Sequence, residues 1–146
     1  ATLAIDASGN WHVAYVDGYD ESLKYVRIAG GTTVGAPEVV DTGLTLAGAQ
    51  FDDGLHIVGD DAKIAVTDSG EVHVSYQDAT AGKLRYAVGA PGGAGDTHTW
   101  EQRSYDQDGF AGAFSSQVEL DGRLSLVNWW RKGGEKVEGD VALVTP

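Results

Sequence analysis

The chain has 146 residues, with 22 acidic against 10 basic side chains for a formal charge of −12, 21 glycines, and neither cysteine nor methionine. That length suffices for one domain with a real core. The acidity argues against nucleic acid and anionic membranes as partners, no apolar run reaches the length of a bilayer-crossing helix, and no disulfide can contribute.

The elements read as follows in chain order. "TLAID" is short and apolar and predicts a first strand. "ASGN" is a turn signal, because Gly supplies positive φ and Asn or Ser bonds nearby backbone. "WHVAYVD" is aromatic and β-branched and predicts a second strand. "GYDES" breaks it, "LKYVRI" alternates as a third strand, "AGGTTVGA" reads as loop, and "PEVVD" as a short fourth strand. After an insertion the order returns: "AKIAVT", "DSGE", "VHVSYQD", "ATAGK", "LRYAV", a Gly-rich loop, and "THTWEQRSY". A third unit offers "SSQVEL", "DG", "RLSLVNWWR", a charged loop and "DVALV". No stretch sustains a 3.6-residue period, so helix is not expected. The absence of Met marks the chain as a processed product, a fragment or a piece of a longer polypeptide, and its first residues lack the pattern of a signal peptide.

The units repeat one phrase. "SGNWHVAYVD" and "SGEVHVSYQD" align His12 with His73, Tyr15 with Tyr76 and Asp17 with Asp78, all 61 positions apart, and the register runs on to Tyr25 and Tyr86. In the third copy Gly122 follows Gly70 by 52 positions, and Leu124, Leu126 and Asn128 take the places of Val72, Val74 and Tyr76. A period of this size is the mark of a repeat architecture. Trp11, Val13 and Tyr15 lie on one face of the second strand, His12, Ala14 and Val16 on the other. Both faces are partly apolar, as a strand between two neighbouring sheets requires.

The expected fold is therefore all-β: a β-propeller segment of about three four-stranded antiparallel blades. Blade 1 covers about 1–43, an inter-blade insertion about 44–59, blade 2 about 60–107 and blade 3 about 108–146. In one reading blade 3 has no strand left after "DVALVTP"; in the other, "EKVE" is its third strand and "VALVTP" its fourth. Three blades do not close a ring, which usually takes four to eight. Open ends would bare apolar faces and unpaired edges. The expected partners are further blades of the same longer polypeptide, or a second chain that completes the ring, two three-blade chains being the simplest closed form.

The phrase D-x-x-G-x-x-H-V-x-Y-x-D followed by L-[KR]-Y resembles the blade repeat of many secreted bacterial β-propellers, itself a loose relative of the Asp-box sialidase-type repeat. Asp68 and Gly70 match part of an Asp box, with Val72 or His73 where a Trp usually closes it. The resemblance implies a secreted or cell-surface setting. Sialidase-type sites use an Arg cluster, but Arg27, Arg85, Arg103, Arg123 and Arg131 do not fall at equivalent central positions. The expected function is a non-catalytic module that binds a glycan or a protein. The alternatives are part of a glycosidase- or lyase-like enzyme completed by further blades, and a purely structural repeat.

Strand alternation sorts the loops onto two ends. One end receives "DGYDES", "DATAGK", the insertion, "DQDGFAGA" and "RKGGEKVEGD", and is acidic. Tyr19, Asp20, Phe51, His56 and Phe110 on that end, with the unrepeated Trp130, are the expected ligand contacts. Asp52, Asp53, Asp106 and Asp108 sit in tight glycine turns and offer oxygens for Ca²⁺, the one expected cofactor, although neither stretch completes an EF-hand loop. His12 and His73, and Tyr15, Tyr25, Tyr76 and Tyr86, recur with the repeat and are expected to be packed scaffold. A catalytic group is needed once; a scaffold group is needed in every unit.

Overall fold

The computed structural model describes residues 1–44, 55–92, 96–105, 109–120, 123–131 and 139–144. Among these the chain is all-β, in three antiparallel sheets. The first sheet runs in sequence order from β1 (Thr2–Ile5) through β2 (Trp11–Val16) and β3 (Leu23–Ala29) to β4 (Thr32–Asp41). The second repeats that order with β5 (Val58–Val66), β6 (Val72–Asp78), β7 (Lys83–Pro91) and β8 (His98–Tyr105). The third joins β10 (Ser116–Leu120), β11 (Arg123–Arg131) and β12 (Gly139–Val144), and the two-residue β9 (Phe110–Ala111) lies beyond β10 on the same edge of β11.

The 61-residue period holds at the level of hydrogen-bond register. Leu3 pairs with Val13 as Ile64 pairs with Val74, and Trp11 with Ile28 as Val72 with Gly89. The turn between the first two strands is also repeated. Asp6 Oδ1 accepts from the Ser8 and Asn10 amides at 2.9 Å each, and Gly9 takes φ 79°. In the second sheet Thr67 stands in the place of Asp6: its hydroxyl accepts from the Glu71 amide at 3.1 Å, and Gly70 takes φ 82°. The residue that caps the second turn is therefore Thr67. Several boundaries differ from the sequence reading: β7 runs on to Pro91, into the Gly-rich stretch, and β9 forms within a stretch read as loop. β4 begins at Thr32, inside the stretch read as loop, because Gly35 at φ 74° and Pro37 sit in a bulge where the ladder needs no amide. β5 begins at Val58, within the insertion, and bends at Asp61, which takes φ 48°.

The sheets stack face to face. Ladder partners point the same way, so the first sheet has a Trp11 face (Leu3, Ile5, Trp11, Val13, Val26, Ile28) and a His12 face (Ala4, His12, Ala14, Tyr25). The His12 face packs on the second sheet, joining Ala14, Leu23, Tyr25 and Val40 to Val58, Ile64, Val72, Val74, Tyr76 and Ala87 in one core. The other side of the second sheet meets the third through Leu84, Ala111 and Leu126, with Tyr105 and Trp130 against them. Every residue of β6 is buried, as a strand covered on both sides must be.

Several of the polar groups caught between sheets are paired, although Ser75 Oγ on β6 is buried without a hydrogen-bond partner. His12 Nδ1 meets the Tyr25 hydroxyl at 2.7 Å, and His73 meets Tyr86 in the same way. Burial raises both phenol pKa values. Glu38 accepts from Trp100 Nε1 at 2.8 Å and the His98 amide at 3.0 Å, tying the outer strands of the first two sheets. At the inner strands the Asp61 carboxylate accepts from the Ser115 amide at 2.8 Å, so the bend of β5 caps the break between β9 and β10.

Candidate binding site at the loop end

The antiparallel order puts the β2–β3 turn, the β6–β7 turn and the connections from β4 to β5 and from β8 to β9 at one end of the stack. Beneath these loops lies a buried polar layer. Asp41, at the last position of β4, receives the Tyr76 hydroxyl at 2.5 Å and the Gly43 amide at 2.9 Å. Its Oδ2 is also 2.9 Å from Nη1 of Arg85, an ion pair whose angle is not that of a hydrogen bond. The Arg85 guanidinium lies 5.8 Å from the centre of the Tyr76 ring. Burial is the main cause, and the Asp41 charge the second, of a Tyr76 pKa raised well above its usual value.

Next to it, His56 Nδ1 pairs with Asp78 Oδ2 at 2.7 Å, both side chains almost wholly buried. Asp78 Oδ1 accepts from the Ala81 amide at 2.9 Å, and Thr80 Oγ1 from the Ile57 amide at 2.9 Å. These bonds clamp residues 55–57 onto the β6–β7 turn. The approach is close: a Cβ at Gly43 would meet the His56 carbonyl oxygen at 2.1 Å. His56 Nε2 is sealed from solvent without a partner, so this pair holds the connection and does not face a ligand.

The rim is different. Tyr19 projects into solvent at 98 % exposure, from a turn satisfied within itself. Asp17 and Asp20 both bind Lys24 Nζ, at 2.6 and 2.8 Å, and Asp20 also accepts from Ser22 Oγ at 2.5 Å. The Lys24 ammonium lowers both carboxyl pKa values, that of Asp20 to about 2. Phe110 is partly exposed and rests over Gly82, where a Cβ would lie 2.9 Å from its ring. A polar cleft of about 300 Å³ opens between the outer strands, lined by Asp41, Thr42, Leu44, Arg85 and Gln102 among others.

Of the six expected ligand contacts, then, Tyr19 and Phe110 stand on the surface. Asp20 is tied to Lys24, His56 is buried against Asp78, and Trp130 packs with Leu84 between the second and third sheets. Phe51 lies outside the described residues, as do Asp52, Asp53, Asp106 and Asp108. The sequence reading missed Asp41 and Arg85, which the repeat does not mark as a pair. It did carry a signal for Asp78: Asp17 and Asp78 recur in register, and each caps its own turn, Asp17 Oδ1 accepting from the Tyr19 amide at 3.0 Å.

No family model matches the chain, and no curated protein matches it.

Proposed function

We propose that this chain is a non-catalytic binding and assembly segment of a β-propeller-like stack, in a secreted or surface protein, and that its ligand meets the loop end around Tyr19 and Phe110. One observation carries the reading: a second sheet buried on both faces lies between two neighbours that each keep an apolar face bare. Such a stack is built to be continued by further blades. It also holds the loops of successive units side by side on a rigid base, the usual arrangement for recognition. The buried polar groups under those loops are spent on tying strands together, which leaves specificity to the rim. A glycan fits the exposed ring of Tyr19 beside hydrogen-bonding carboxylates; a basic protein segment fits the acidic charge. Calcium at the Asp52–Asp53 or Asp106–Asp108 pair belongs to the same proposal.

Thermal unfolding in the presence of neutral and sialylated oligosaccharides and of an oligolysine peptide tests it. The expected result is a rise in the midpoint with one of these probes that Tyr19→Ala abolishes while the unliganded midpoint stays put. No shift with any probe would favour the purely structural reading. A fall in the midpoint on adding chelator would mark the calcium site.

A further inference from the structure

The internal repeat makes the bare face of the first sheet legible. In the second sheet the positions equivalent to Leu3, Trp11, Val13 and Tyr15 are Ile64, Val72, Val74 and Tyr76, and all four are buried against the His12 face of the first sheet. On the first sheet no other sheet lies over the same face among the described residues. Leu3 is 50 %, Ile5 61 % and Trp11 51 % exposed. The match extends to the turns. Gly9, Trp11, Ile28, Gly30 and Gly31 line an open apolar depression of about 180 Å³. Their counterparts Gly70, Pro91 and Gly92 line a cleft whose opposite wall is Asp6, His12 and Arg27 of the first sheet. What covers a Trp11-type face in this molecule is thus the opposite face of another copy of the unit.

The chain presents such a face once more. In the third sheet Leu124, Leu126 and Asn128 turn toward the second sheet and are buried. The other side carries Val118 at 59 % and Val127 at 38 % exposure, and Trp129, whose ring meets Phe110 and Phe114 edge-on at 6.3 and 6.0 Å. The two bare apolar faces are therefore of opposite type, at opposite ends of the stack.

We propose that the Trp11 face of the first sheet docks on the Val127 face of the third sheet of a second copy of this chain, and reciprocally, so that two chains close through two identical head-to-tail contacts. The contact repeats the packing already present between the first two sheets. It rests on the reading of the sheets as units of one continuing stack, but not on any ligand at the loop end. Heterologous contacts either close or grow into filaments, and these close at two chains.

Light scattering across a concentration series decides it, using wild type, Trp11→Lys and Val127→Lys, with circular dichroism to confirm that each variant is folded. Wild type is expected at twice the chain mass of 15.3 kDa, and each variant at the single mass. An equimolar mixture of the two variants is expected to regain the doubled mass, because one of its two contacts then joins two unaltered faces. A contact between two like faces would not be rescued in this way. A wild type that stays single, a variant that stays double, mixing without rescue, or growth beyond two copies would each overturn the proposal. A single-copy wild type that still shows Tyr19-dependent ligand binding would do so while leaving the loop-end reading intact.

Discussion

The first and second sheets are nearly the same object in two settings. They share a hydrogen-bond register, a capped glycine turn, and a His–Tyr pair on the same face. Yet Val72 is fully buried while Trp11, its counterpart, is half exposed. Burial here belongs to the place in the stack and not to the repeat. The side chains differ as well. The covered sheet carries Val72, Ala87 and Gly89 where the bare one carries Trp11, Val26 and Ile28, and it holds its own large rings, Tyr76 and Trp100, on the same face. At Gly89 the Trp100 ring occupies the space, and a Cβ would lie 2.8 Å from it.

The widest contrast comes from placing one charge at both positions. Val72→Lys is expected to cost about 4 kcal/mol or more, since it buries an unpaired ammonium between two sheets. Trp11→Lys should change the stability of the single chain by only about 0.5 kcal/mol. Urea unfolding at high dilution reads both, and equal losses would break the comparison. A smaller effect separates the proton-binding groups. Desolvation lowers the pKa of His12, outweighing the opposing pull of Asp6. The unfolded imidazole, at its ordinary value, then takes a proton before the folded one does. The contribution of His12 to stability is accordingly present above about pH 6.5 and is lost as pH falls below it, toward the folded pKa. His12→Gln should unfold with a shallower loss of stability between pH 7 and pH 5 than wild type, by urea midpoints at each pH. An unchanged slope would mean that this histidine gains or loses nothing on folding.

Much of the fold was legible because the signals were local and repeated. Alternation, turn glycines and the 61-residue register placed the strands of the first two units to within a few residues, apart from the longer β4 and β5. Those two extensions depend on features that propensity does not reveal: a bulge at Gly35, and a left-handed Asp61 held by its bond to Ser115. Less of the site was legible. Tyr19 and Phe110 were placed on the surface by their loops. His56 was drawn to the same surface by its loop, but Asp78 takes it inside, a contact across 22 residues that no period announces. Recurrence marks scaffold for the His and Tyr positions of the repeat. Asp17 and Asp78 recur too, and both cap their turns, but only Asp78 is buried, so recurrence marks the cap and not the burial. Arg85 recurs in register with Lys24, but Lys24 pairs with Asp17 and Asp20 while Arg85 meets Asp41 of the neighbouring sheet, so only the packed structure brings the Asp41–Arg85 pair together.

The most direct test of the central claim uses the absence of cysteine from the natural sequence. One preparation carries Val13→Cys and another Val127→Cys, and the two are mixed and treated with a short thiol-to-thiol cross-linker. A covalent pair of chains is expected in the mixture and little from either preparation alone, because the face that carries Val13 meets only the face that carries Val127. Cross-linking as strong within the Val13→Cys preparation as in the mixture, or none in the mixture, would contradict that pairing.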